Sequence, residues 1–107
     1  VAGAWICIDF GTAISVSPTH YSLRHGRIDR EDMLRSWNLE GSLDMSCWHI
    51  LSQHVNDETL RRPMQLETFD VKLPQLGNTY RYLRLVMTGK NSSGNHSLSV
   101  SGLEVYG

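Results

Sequence analysis

The sequence predicts an all-β fold, an antiparallel β-sandwich or jelly roll, and three observations predict it. Apolar residues recur at every second position in short stretches, Gly, Pro, Ser, Asn and Asp fill the gaps, and no stretch keeps a helical period long enough for a useful helix. Seven strands are expected, over residues 5–10, 19–24, 34–40, 48–53, 65–71, 80–87 and 98–106. No connection is long enough for the crossover helix that parallel neighbours require, so the strands pair antiparallel in two packed sheets.

The first strand opens on Trp5, and the connection from Gly11 to Pro18 carries the chain into the second. In the third, Trp37 and Leu39 share a face, and Leu34 joins them only if a bulge lies near Arg35 and Ser36. Gly41 and Asp44 supply turn chemistry for a hairpin into the fourth strand, where Trp48 and Ile50 form a similar pair. After the fifth strand, the sixth carries Leu83, Leu85 and Met87 on one face. Tyr80, Tyr82, Arg84 and Val86 occupy the other, which lays Arg84 along aromatic surface. The seventh strand changes phase at Ser101-Gly102, the mark of a bulge or a close backbone approach. Trp5, Trp37 and Trp48 are all expected in the core.

With 107 residues, 40% of them hydrophobic and 20% charged, the chain has the size of one domain, residues 1–107, and enough apolar surface to fold. A formal net charge of −1 argues against a nucleic-acid binder. No apolar run approaches the roughly 20 residues needed to span a bilayer. The start lacks Met and lies almost inside the first apolar segment, as expected of a domain cut from a larger protein. Cys7 and Cys47 are too few for a disulfide scaffold and read as buried thiols, with a single bridge left open. The sequons at Asn91 and Asn95 would matter only in the secretory pathway, and low cysteine use points to the cytoplasm or nucleus.

Three segments together resemble a known family: Trp5-Ile6-Cys7-Ile8-Asp9-Phe10-Gly11, then Leu39-Glu40-Gly41-Ser42-Leu43-Asp44 with Trp48, then Tyr80-Arg81-Tyr82-Leu83-Arg84-Leu85 followed by Leu103-Glu104-Val105-Tyr106-Gly107. They are similar to the discoidin-type, galactose-binding-like β-sandwich. Tyr21-Ser22-Leu23-Arg24-His25-Gly26 and Thr88-Gly89-Lys90-Asn91-Ser92-Ser93-Gly94 resemble its intracellular branch, found in HECT-type ubiquitin ligases and BTB-domain proteins. The resemblance implies a non-catalytic recognition module. Secreted members commonly join their ends by a disulfide, and here neither end carries Cys. Members are usually longer at the N-terminus, which puts residues 1–4 in doubt as part of any site.

If consecutive strands simply reverse direction, every second connection lies at the same end. Residues 11–18, 42–47 and 72–79 then form one set, and residues 25–33, 54–64 and 88–97, together with the N-terminus, the other. The second set holds far more long polar side chains, and rigid strands carrying such loops are the usual way to position recognition groups. The candidate ligand-binding residues are therefore His25, Arg27, Arg30, Asp32, His54, Asn56, Asp57, Arg61, Arg62, Lys90, Asn91 and Asn95. Arginines in that set suit carboxylate or phosphate, but the interleaved Asp29, Glu31, Asp32, Asp57 and Glu58 suit an internal salt-bridge network equally well. The expected partner is a protein or peptide. A glycan is the alternative, and the lack of any Trp, Tyr or Phe in these loops counts against it, although an exposed Trp5 at the mouth would restore it. A purely architectural domain is the third reading.

Neither catalysis nor a metal or other cofactor is expected. Cys47 and His49 share a strand face, yet no second pair stands at ligand spacing, and neither Cys-x-x-Cys nor His-Glu-x-x-His occurs. The sequence does not place a Ser or Cys nucleophile beside a His oriented by a carboxylate.

Overall fold

A computed structural model of the chain describes residues 4–13, 15–71 and 79–106. Seven strands form within them: β1 Trp5–Asp9, β2 His20–His25, β3 Trp37–Ser42, β4 His49–His54, β5 Leu66–Asp70, β6 Tyr82–Met87 and β7 Val100–Tyr106. They make a four-stranded sheet in the order β1-β6-β3-β4 and a three-stranded sheet in the order β5-β2-β7. Every pairing is antiparallel. The all-β sandwich and its strand count follow the sequence pattern.

The two sheets meet over an apolar interior. Leu39, Leu51, Leu83, Leu85 and Met87 of the larger sheet face Tyr21, Leu23 and Phe69 of the smaller one, all buried. Trp37, fully buried, lies at the centre. Phe69 meets its ring edge-on at 5.2 Å, and the indole Nε1 donates to the Tyr21 hydroxyl across the sheet gap at 3.0 Å. Burying an aromatic ring while satisfying its polar atom secures both the area and the orientation of the core.

Irregularities fall where backbones must turn. The register between β2 and β7 shifts at Arg24/His25, opposite Ser101 and Gly102, so the phase change in the last strand is a bulge. A second bulge differs from expectation: it lies in the β3/β4 pair between Leu39 and Glu40, where Leu51 is the extra residue, while the chain before Trp37 is simply not strand. That bulge turns Ile50 outward.

Two of the three tryptophans also depart from expectation. Trp5 is 50% exposed on the outer side of edge strand β1, and Trp48, just before β4, is only half-buried. The guanidinium of Arg84 lies 3.9 Å from the Trp48 ring centroid and 5.9 Å from that of Trp5, and it pairs with Glu40 at 2.6 Å. Arg84 therefore runs along aromatic surface as expected, but that surface is the outer sheet face. Both cysteines are free thiols, with Cys47 exposed and Cys7 half-buried.

Tyr80 precedes β6 and is buried against Gly41, where an added Cβ would meet the phenol ring at 2.7 Å. Gly41→Ala is thus expected to cost about 1–3 kcal/mol by overpacking, read as a lower midpoint in chemical denaturation.

Candidate functional site

The antiparallel pairings alternate strand direction, so the connections 26–36, 55–65 and 88–99 emerge at one end. Cross-loop hydrogen bonds show them in contact. Ser92 N donates to Met33 O at 2.9 Å, Asp57 N to Arg35 O at 2.7 Å and Met64 N to Arg27 O at 3.1 Å. Asp32 N donates to Ser93 Oγ at 2.8 Å, and Arg35 Nη1 to Leu60 O at 2.6 Å. At the opposite end, most of the expected loop 72–79 lies outside the described residues, as does Ile14 of the 11–18 loop. β1 begins at the candidate end, its Trp5 paired with Val86, and residues 1–3 before it lie outside the described residues.

The twelve candidate residues divide into two groups. The first holds the loops in shape. His25 is fully buried and Nε2 donates to Asp29 O at 3.1 Å, leaving Nδ1 buried without a partner. Arg27 grips both oxygens of Asp29 at 2.8 Å and reaches Asp32 at 3.8 Å. That fork, with the Glu31 amide behind it, holds the Asp29 carboxyl at about 2. Asp32, at a φ of 56°, accepts from Asn95 Nδ2 at 3.1 Å. Asn91 is buried and fully engaged, its Oδ1 accepting the Ser93 and Asn95 amides and its Nδ2 donating to Asn95 Oδ1 and Ser97 O.

His54 and Asp57 complete this group through a relay that sequence spacing alone did not disclose. His54 is stacked on Trp37, centroids 4.1 Å apart and planes within 12°. Its Nε2 lies 2.8 Å from Ser52 Oγ and 3.1 Å from the Tyr21 hydroxyl, and its Nδ1 lies 2.8 Å from Asp57 Oδ2. Burial pushes the Asp57 carboxyl up, but donation from the Thr59 hydroxyl and amide and from His54 outweighs it and holds the group below its usual range. Burial raises Tyr21 above the usual phenol range. Ser52, His54 and Asp57 reproduce the order of a nucleophile relay, but Ser52 has no exposed surface and its hydroxyl is shared with Tyr21. A reactant cannot reach it. The relay instead ties the 55–65 loop to the core of both sheets.

The second group is free. Arg30, Arg61, Arg62 and Lys90 are exposed, and among the described residues none of them pairs with a carboxylate. Arg61 Nε donates only to Glu58 O, at 2.8 Å. Asn56, at a φ of 51°, is also exposed, its amide held by Ser36 Oγ. Two shallow hollows open between these side chains. One, of about 550 Å³, lies between Arg30, Arg61, Arg62 and Glu67, floored by Thr59 and Gln65. The other, about 430 Å³, is lined by Arg35, Asn56, Glu58, Lys90, Asn91 and Ser92. Gln65 is a residue the sequence reading missed: its Oε1 accepts the amides of Arg61 and Arg62, at 2.7 and 3.0 Å, and its Nε2 donates to Glu67 at 2.7 Å. No local pattern marks it, because its partners lie on both sides of a turn. Trp5 lines neither hollow.

Charge pairing gives a pH dependence. The carboxyls of Asp29, Asp9, Asp44 and Asp57 all titrate lower in the folded chain than in the unfolded one. Their contribution is present at neutral pH and is lost as the pH falls through the folded values. Thermal stability is expected to drop progressively from roughly pH 5 downward, reaching the Asp29 step near about 2. A melting temperature constant across that window would contradict these pairings.

Among the described residues no group of three His, Cys, Asp or Glu side chains converges as a metal site, and no helix is long and apolar enough to cross a membrane.

No protein-family model matches the chain. It is 42% identical over 106 residues, 97% of its length, to the E3 ubiquitin-protein ligase Ufd4 of Drosophila melanogaster. The identity is the same to the E3 ubiquitin-protein ligase hecd-1 of Caenorhabditis elegans. A BTB/POZ domain-containing protein of Arabidopsis thaliana is 26% identical over the same 97%. The chain spans about 4% of the length of each ligase and 13% of the plant protein. Among solved structures, it superposes with a TM-score of 0.68 on chitosan-binding module 1 of a chitosanase/glucanase from Paenibacillus sp. IK-5, at 17% identity, covering 96% of this chain and 67% of that one. The same TM-score relates it to CBM32-1 of a family 31 glycoside hydrolase from Clostridium perfringens, at 12% identity, covering 99% and 70%. The fold is thus a galactose-binding-like β-sandwich, carried by a sequence whose relatives include segments of E3 ubiquitin ligases.

Proposed function

We infer that the chain is a non-catalytic recognition domain of a larger intracellular protein, and that it binds an acidic segment of a protein partner through the end formed by the 26–36, 55–65 and 88–99 loops. One observation carries this reading. At that end Asp29, Asp32 and Asp57 are engaged by Arg27, Asn95, His54 and Thr59 within the domain, while Arg30, Arg61, Arg62 and Lys90 are left unpaired at the surface. A network built only for stability would use its cations as well as its carboxylates. Exposed guanidinium groups held by a rigid framework offer paired donors to a carboxylate at little ordering cost. The similarity to E3 ligase segments supports a place in ubiquitin transfer, where a substrate or a neighbouring part of the ligase would supply the acidic segment. The two free thiols agree with an intracellular setting.

Arg61→Ala with Arg62→Ala tests it. Fluorescence anisotropy with a degenerate pool of Asp- and Glu-rich peptides should show affinity falling about tenfold, with the melting temperature moved by only a few degrees because both side chains are exposed. Unchanged affinity would contradict the reading.

A glycan ligand is favoured by the two structural neighbours, a chitosan-binding module and CBM32-1 of a glycoside hydrolase, and by the exposure of Trp5. Against it, neither hollow contains an aromatic ring on which a sugar would stack. Titration with neutral and acidic oligosaccharides separates the two, since saturable binding that survives the double arginine change would favour the glycan.

A further inference from the structure

We propose that the hollow between Arg30, Arg61 and Arg62 is a site for a phosphomonoester carried on a peptide, so that partner binding is switched on by phosphorylation; this rests on the recognition reading above and specifies its ligand.

The hollow draws its cations from two loops. Arg30 comes from the β2–β3 connection and Arg61 and Arg62 from the β4–β5 connection, and the three residues line one space of about 550 Å³. Their only acidic neighbour in that lining is Glu67, which is already held by Gln65 Nε2 at 2.7 Å. Three guanidinium charges against that one carboxylate leave two positive charges uncompensated. A single peptide carboxylate neutralises one of them. A phosphoserine or phosphothreonine brings about −1.5 to −2 charges and three strong acceptor oxygens on one centre, so it matches the charge and offers one oxygen for each arginine.

The backbone beneath is fixed before any ligand arrives. Gln65 Oε1 takes the amides of Arg61 and Arg62, and Gln65 Nε2 also donates to Thr59 O at 3.0 Å. Asp57 accepts the Thr59 amide at 2.8 Å, and the His54 relay anchors Asp57 in turn. The turn that carries two of the three arginines is thereby preorganised, which lowers the ordering cost of binding. Arg27, by contrast, is closed on Asp29 and takes no part.

The test uses three degenerate peptide pools, identical except for a central phosphoserine, serine or glutamate, with anisotropy as the readout. The phosphoserine pool should bind about tenfold tighter than the glutamate pool. This gain should vanish in Arg61→Ala with Arg62→Ala and shrink in Arg30→Ala. It should persist in Arg81→Ala, whose guanidinium is paired with Asp9 at the far end of the sandwich. Equal binding of the phosphoserine and glutamate pools overturns this proposal and leaves the acidic-segment reading standing. Absence of binding by all three pools overturns both. A phosphate gain that survives the double arginine change places the site elsewhere and overturns the assignment. Inorganic phosphate that competes at the concentration of the phosphopeptide would show a free anion to be the ligand, and would overturn the peptide part.

Discussion

Replacing Trp37 by alanine is expected to remove about 3–5 kcal/mol of stability, the range for emptying a well-packed aromatic site. Its indole is fully buried, stacks on His54, receives the edge of Phe69 and donates to Tyr21 across the two sheets. Truncation leaves a cavity lined by three rings and strips the Tyr21 hydroxyl of one partner. Most domains of this size have only about 5–15 kcal/mol in total, so the variant should lose a large fraction of its stability. Equilibrium urea denaturation provides the measurement, and an unchanged midpoint would mean that the ring does not fill the core.

The second large effect is expected from His54→Ala, at about 3 kcal/mol, from lost ring packing together with buried groups left without partners. Ser52 and Tyr21 lose a shared partner, and Asp57 loses the contact that ties its loop to the core. This change should differ from Trp37→Ala in where it acts. Because Asp57 also orders Thr59 ahead of the turn bearing Arg61 and Arg62, amide exchange in residues 56–62 should rise more than in β2 or β6. Ligand affinity should fall even at temperatures where the domain remains folded. Uniform loss of protection would instead make His54 an ordinary core residue.

Much of the architecture was legible because alternation reports on backbone period directly. The seven strands, the bulge at Ser101-Gly102 and the gathering of three polar connections at one end all come from that pattern and from the short loops. Facing was less legible. Alternation divides a strand into two sides without saying which side meets the other sheet, and so Trp5 and Trp48 read as core although they flank Arg84 on the outside. Ile50 was misplaced for a related reason, since the extra residue Leu51 reverses its side and no glycine announces that bulge.

At the candidate site the loop residues were correctly grouped in space, but their roles were not separable by sequence. Arg27 and Arg30 look alike in a chain of alternating charges. Only the fold shows that Arg27 is consumed by Asp29 and that Arg30 is not. His25 and Asn91 resemble surface donors, yet both are buried because the β2 terminus and the 88–99 loop close over them. The relay through Ser52 and His54 did leave a trace, since residues two apart share a strand face, but the return of Asp57 to His54 depends on a turn with a left-handed residue at Asn56.

On the proposed reading, a partner binds at the end where the 26–36, 55–65 and 88–99 connections converge. The most direct measurement is amide chemical-shift mapping of the isotopically labelled domain during titration with the acidic and phosphorylated peptide pools. Shifts concentrated on residues 30–32, 56–65 and 90–93 are predicted, with β1, β6 and the 42–47 turn unmoved. Shifts centred on Trp5, Arg84 and Trp48, or on the 42–47 turn, would contradict it.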